Sequence, residues 1–272
     1  MQSRIIFLGT GGSQAVGAKQ YRGTGGIIIQ TGDHQFHLDP GPGALVKCAE
    51  YGVNPRETTA IFATHAHLNH CNDINVLLEG MTHAGLDKRG LLVANKTLFE
   101  GGQGFTPYIT PYHQRCVERN IVFEKNQRLG IDNFEIHAIP AVHADTNAIG
   151  LKFFTPHFVL AYTGDTKFTK EAIPFYKGVD ILVLNTLNPS NVDDGSNLNI
   201  DDAIKIINLA QPRLAIITHF GIKALKADPL MMARNVQRGT ETQTIAAKDG
   251  MVINPVSYSA GIRQKTLNLY KA

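Results

Sequence analysis

Three things are scarce in this chain of 272 residues, and each scarcity removes a class of answer. Cysteine occurs only at Cys48, Cys71 and Cys116, an odd and widely spaced set that makes no disulfide framework. No apolar run approaches the roughly eighteen residues a membrane span requires, so no membrane partner is expected. Lysine and arginine are scattered and the net charge is only +3, which gives composition no strong case for nucleic acid. The opening Met1-Gln2-Ser3-Arg4 runs into an apolar stretch without a signal-peptide pattern, and with the cysteines this points to a cytoplasmic setting. Repeats and low-complexity linkers are missing too. At 43% hydrophobic and 18% charged, what remains is an ordinary globular composition.

Apolar runs bounded by turn residues predict strands over residues 3–8, 26–30, 35–38, 59–63, 90–94, 134–139, 149–154, 158–162, 180–184 and 214–217. Helical patterns fall at 44–49, 73–79, 200–209, with a cap near Asn199 or Asp201, and about 229–238, followed by two short strands. Strands alternating with helices in two halves predict a layered α/β fold, a single domain over 1–272. Gly9-Thr10-Gly11-Gly12-Ser13 after the first strand lacks the Gly-x-Gly-x-x-Gly spacing of a dinucleotide loop and reads as the border of a cleft. Residues 95–120, rich in glycine, proline and aromatics without periodicity, read as a lid or substrate loop, or as an irregular connection of no consequence.

The densest chemistry is Thr64-His65-Ala66-His67-Leu68-Asn69-His70-Cys71-Asn72-Asp73, directly after the apolar 59–63 run. Histidine is a common metal ligand, and a strand end is rigid enough to fix its direction. Residues two apart on an extended loop point the same way, so His65 and His67 can reach one ion, while His70 is better aimed at a second. Further along, His143 sits just past the 134–139 strand, as a ligand would, and Tyr162-Thr163-Gly164-Asp165-Thr166 and Thr218-His219-Phe220-Gly221 each follow an apolar strand. Asp165 reads as a ligand or as a turn aspartate. Asp39, in Leu38-Asp39-Pro40-Gly41, reads either as a helix cap or as a hydrogen-bond acceptor for a ligand histidine. His83, His113 and His137 read as surface or cap residues.

In this order the four loops resemble the His-x-His-x-Asp-His signature and later ligands of the metallo-β-lactamase superfamily, over roughly residues 3–221. Leu8-Gly9-Thr10-Gly11-Gly12-Ser13 resembles the opening of its tRNase Z and small phosphodiesterase branch. The resemblance implies an αββα sandwich with metal at one edge. His65, His67 and His143 would hold a first ion, His70, His219 and Asn69 a second, and Asp165 would bridge. Zinc is expected, one or two ions, with iron or manganese suited to the same donors. Such a pair makes water nucleophilic at neutral pH and stabilises charge on an attacked phosphoryl or carbonyl centre.

Two positions depart from the pattern. Asn69 stands where the family has aspartate, so the second site lacks a negative charge and is expected to be weaker, with Asp73, one turn after His70, as a compensating carboxylate. Asn197 stands where the branch carries a histidine, and it can hydrogen-bond a phosphate oxygen but supplies no proton at neutral pH. Asp165, Asn69 and Asn197 are the catalytic candidates. Two readings follow: a metal-dependent hydrolase of a small phosphodiester or ester, or a degenerate metal-binding relative that serves ligand binding or assembly. The expected partner is a small anionic substrate, with nucleic acid less favoured because no long basic arm is visible, and a homodimer is the expected assembly.

Overall fold

The computed structural model describes residues 3–102 and 104–260. In chain order its strands are β1 (Arg4–Phe7), β2 (Ile27–Thr31), β3 (His34–Leu38), β4 (Thr58–Ala63), β5 (Leu91–Ala94), β6 (Arg119–Val122), β7 (Arg128–Ile131) and β8 (Phe134–Pro140). There follow β9 (Ile149–Phe154), β10 (Val159–Tyr162), β11 (Ile181–Asn188), β12 (Leu198–Asn199), β13 (Leu214–Thr218), β14 (Thr244–Ala246) and β15 (Val252–Ile253). One sheet runs β15-β1-β2-β3-β4-β5-β6, and the other runs β14-β13-β11-β10-β9-β8-β7, with β12 beside β11.

The side-chain alternation of the strands explains why the sheets stack. In β4, Ala60 and Phe62 enter the core between the sheets, while Ile61 and Ala63 pack outward under helices. In β13, Leu214 and Ile216 face inward, and Ala215 and Ile217 meet the helices of the other side. Strands buried on both faces read as unbroken apolar runs, which is what the sequence shows there. The helices Ala44–Glu50, Ile74–Thr82 and Lys96–Glu100 cover one sheet, and Ile200–Ala210, Ile222–Lys226 and Pro229–Thr240 cover the other. Helix, sheet, sheet, helix is the mixed α/β sandwich expected. Phe36, Phe62, Phe134 and Phe153 pack edge-on or tilted at its centre, with ring centroids 5.2–6.0 Å apart.

The β2–β3 hairpin turns at Gly32-Asp33 with Thr31 opposite His34, and Asn199 caps the helix Ile200–Ala210 by accepting from Asp202 N. Three expectations need correction. The segment 95–120 is not loop throughout: Asn95 caps the helix Lys96–Glu100, Thr110 and Pro111 start the helix Pro111–Cys116, and β6 follows. Irregular chain is confined to about 101–110, where Gln103 lies outside the described residues. The strand expected to stop at 184 continues to Asn188, because Thr186 and Asn188 pair with β12 in the stretch read as polar loop. The helix after the histidine cluster runs Ile74–Thr82, with His83 closing it in a left-handed conformation (φ 49°).

Candidate metal centre

Five of the expected ligands lie just beyond the C-terminal end of a strand. His65 and His67 follow β4, His143 follows β8, Asp165 follows β10 and His219 follows β13, so the sandwich gathers them along one edge. His70 joins them from the short helix Leu68–Cys71. His65 Nε2 lies 3.1 Å from His67 Nδ1, and His143 Nε2 lies 3.1 Å from the same atom. His70 Nε2 and His219 Nε2 are 2.9 Å apart. Asp165 stands between the two groups: its Oδ2 is 3.3 Å from His70, 3.7 Å from His65 and 3.9 Å from His143, and its Oδ1 is 3.4 Å from His219.

The outer ring nitrogens assign the tautomers. His65 Nδ1 donates to Thr64 Oγ1, whose own proton goes to Asp39 Oδ2. His143 Nδ1 donates to the Ser196 carbonyl at 2.9 Å, and His70 Nδ1 donates to Asp39 Oδ2 at 3.0 Å. With the outer proton fixed, the inner Nε2 of His65 and of His143 presents a lone pair, and that of His70 is turned to Asp165. Inner imidazole nitrogens crowded at about 3 Å around a buried carboxylate are a nitrogen–oxygen donor set that a cation satisfies. The donors fit the implied metal.

Burial holds His65 well below the usual imidazole range, aided by the neighbouring His70, and it lowers His219 to about 4 against the opposing pull of Asp165. Burial lowers His67 too, with His143 adding to it. At His70 burial acts in the same sense, but Asp165 and Asp39 on either side outweigh it and raise the group to about 10. Burial alone would raise the Asp165 carboxyl; His219 and His70 facing it pull it well below the usual carboxylate range.

Of the two roles open to Asp39, the structure shows the second. Its Oδ2 accepts from His70 Nδ1, Thr64 Oγ1 and Tyr162 OH, and its Oδ1 accepts from Thr64 N. Helix Ala44–Glu50 is capped instead by Asp73, whose Oδ2 accepts from Leu45 N at 3.2 Å while Oδ1 accepts from Asn72 Nδ2. Asp73 is therefore turned away from the histidines and is no substitute for the missing charge at position 69. Asn69 brings its carboxamide nitrogen 3.2 Å from His219 Nε2, and a half-turn about Cβ–Cγ presents Oδ1 to the same point. Asn197 borders the same cleft, but its Nδ2 is engaged by Asp194 Oδ2 at 3.0 Å and Ser196 Oγ at 3.2 Å.

His113 sits against Glu79 and Thr110, and His137 against Glu135 and Phe154, both away from the cluster. Sequence reasoning missed Asn185 and Tyr162. Asn185 Nδ2 donates to Asp165 Oδ1 at 2.7 Å and to Tyr162 OH at 2.9 Å, and Tyr162 OH passes its own proton to Asp39. A polar residue inside a buried strand was the available signal, since such a group needs partners.

The glycine loop forms one wall, as expected of a cleft border. Thr10 O accepts from Phe220 N and Gly12 N donates to Phe220 O, so the loop is laced to the chain beside His219. Asp249 clamps it from below, accepting from Thr10 N at 2.9 Å, Thr10 Oγ1 at 2.7 Å and Gly23 N at 2.7 Å. Between the loop and the histidine–aspartate cluster opens a cleft of about 340 Å³, bordered further by Leu187, Ser196 and Asn197, and no Lys or Arg lines it among the described residues. Phe105, from the irregular stretch of the 95–120 segment, lies against His67 with ring centroids 5.7 Å apart.

The sequence pattern of the family described as "Beta-lactamase superfamily domain" matches residues 34–220. An uncharacterized protein of Methanocaldococcus jannaschii is 31% identical over 255 residues, which cover 93% of this chain and 95% of that one. Ribonuclease Z of Sulfolobus acidocaldarius is 24% identical over 270 residues, covering 84% of this chain and 91% of that one. Among solved structures, the metallo-beta-lactamase fold protein YhfI from Bacillus subtilis superposes with a TM-score of 0.76 at 20% identity, covering 93% of this chain and 99% of that one. At that identity the likeness speaks for the fold. No described helix is long and apolar enough to cross a membrane.

Proposed function

This chain belongs to the metallo-β-lactamase superfamily, whose members are metal-dependent hydrolases, and from that premise we propose that it hydrolyses a small phosphodiester or ester at the histidine–aspartate cluster. One observation carries the reading: the inner nitrogens of two histidine groups converge on the one carboxylate of Asp165. His65, His67 and His143 would hold a first divalent ion, zinc by the donor set, and His70 and His219, with Asn69 Oδ1, would hold a second. Bound there, such ions act as Lewis acids that make water nucleophilic at neutral pH.

The chain's own residues do the rest. Asp39 and Ser196 O hold the outer protons of His70 and His143, which fixes the direction of both rings and turns their inner nitrogens to the cluster. Asn185 orients Asp165 through Oδ1 and leaves Oδ2 facing His65, His70 and His143. Ser13 and Ser196 beside the cleft are suited to receive polar ester oxygens, and Leu187 and Ala15 an apolar substituent. A cleft of this size without lysine or arginine suits a substrate bearing few charges and offers little to a polyanion, so tRNA is the less favoured substrate. A cytoplasmic site of action and a homodimeric state complete the reading.

The zinc-loaded protein is expected to cleave bis-p-nitrophenyl phosphate and to lose that activity in His67→Ala. Absence of turnover in a fully loaded wild type sinks the hydrolase reading. The second reading, a metal-binding protein with little turnover, draws on the neutral Asn69 and on the engagement of Asn197 by Asp194, which leaves no proton donor at that position.

A further inference from the structure

Asp145 has no place in any of the motifs above, yet it is fully buried two residues beyond His143. Among the described residues no cation lies within ion-pair distance of it. A buried carboxylate without a counterion is costly unless hydrogen bonds satisfy it. Here four neutral donors do: Oδ2 accepts from Ala66 N at 3.0 Å and Asn95 Nδ2 at 2.7 Å, and Oδ1 accepts from Thr97 Oγ1 at 2.7 Å and Asn147 N at 3.0 Å. Thr97 Oγ1 also accepts from Asn147 Nδ2, so its own proton is committed to Asp145. Every partner is a donor, and only a side chain with two acceptor oxygens fits.

The four donors come from three places. Ala66 is the peptide between His65 and His67, Asn95 and Thr97 lie at the cap and first turn of the helix Lys96–Glu100 that follows β5, and Asn147 is in the loop that carries His143. One carboxylate thus fastens the loop bearing two ligands from one sheet to the loop bearing a third from the other. We propose that Asp145 is a positioning residue of the metal centre: it locks the His65–His67 loop to the His143 loop, so that their inner nitrogens converge before an ion arrives.

The inference rests on the metal-centre reading, and the test separates the two. The full-length protein is stripped with a chelator and titrated with Zn²⁺ against a chromophoric competitor, and in parallel loaded with Co²⁺ for its visible absorption spectrum. In Asp145→Asn the amide nitrogen faces donors, and the first-equivalent Zn²⁺ affinity is expected to fall about 10- to 100-fold with displaced Co²⁺ bands. Thr97→Val removes one donor and touches no ligand; it is expected to shift both readings in the same direction by less, and it decides the matter if Asp145→Asn does not fold. Variants that melt earlier but keep wild-type affinity and spectrum overturn the proposal, because Asp145 is then only structural. A wild type that binds no Zn²⁺ overturns the metal-centre reading itself.

Discussion

Adding a single methyl group at Gly12 should weaken the second metal position and spare the first. A Cβ built there overlaps the His219 carbonyl and lies 2.7 Å from His219 Nδ1. To reach the ordinary 3.4 Å contact the ring must retreat by about 0.7 Å, and the carbonyl by more. Metal–ligand distances tolerate only about 0.2 Å. The loop cannot yield in the other direction, because Gly12 N is bonded to Phe220 O and Asp249 holds Thr10 from behind. Overpacking costs about 1–3 kcal/mol, and a clash against backbone stands at the upper end of that range, with a loss of about 2–4 °C in Tm for each kcal/mol in a chain of this size. Gly12→Ala should therefore remain folded, keep one equivalent of zinc through His65, His67 and His143, and bind the second at least about tenfold more weakly. Gly17→Ala is the control: its Cβ meets Thr24 Cγ2 at 3.4 Å inside the helix Gln14–Ala18, and neither stoichiometry nor stability should fall. The readings are metal per chain by mass spectrometry after dialysis, competitive titration of each equivalent, and thermal melting. Two equivalents held by Gly12→Ala with wild-type affinity would refute the argument that the glycine loop seats His219.

Two further outcomes follow from the same geometry. Asn69→Asp restores a negative charge beside His219 and should strengthen the second equivalent; metal content near one in the wild type and near two in the variant is the expected pair of values, and two equivalents of equal affinity in both would show that the neutral amide is no handicap. Burial holds His37 near 4, below its free value of 6.5, while the backbone carbonyl of Gly25 accepts from its ring. Below pH 6.5 the unfolded chain binds a proton that the folded chain refuses, so this contribution to stability is present above 6.5 and is lost as pH falls toward 4. A depression of that size corresponds to about 3 kcal/mol. In urea melts at pH 7 and pH 4.5, His37→Gln should show a shallower acid loss than wild type, and equal slopes would count against it.

The sandwich and the gathering of His65, His67, His70, His143, Asp165 and His219 were legible because both depend on local pattern. An apolar run buried on two faces announces its strand, and a ligand at the strand end is adjacent in sequence to the element that aims it, as His65 is to β4 and Asp165 to β10. The caps of the 95–120 segment were legible in principle, since Thr110-Pro111 is a helix start, but the surrounding glycines masked it. Asp73 misled for a physical reason: helical spacing from His70 gives proximity along the axis, whereas the carboxylate turns to the unmet amide of Leu45, from another helix. Asp145 and Asn185 were invisible because their partners lie far off in sequence, 79 positions for Ala66 and 20 for Asp165, and no periodicity encodes such a bond.

The clamp at Asp249 has a bearing on the order in which the molecule can be made. Its bonds to Thr10 and Gly23 span 239 and 226 positions. A nascent chain displays its glycine loop long before the acceptor for those amides has been synthesised, and before His219 exists to rest against it. The first three histidine ligands, by contrast, are all present by residue 143. Synthesis thus completes the set His65, His67 and His143 first, and the seat of His219 waits until the last part of the sandwich closes over the first.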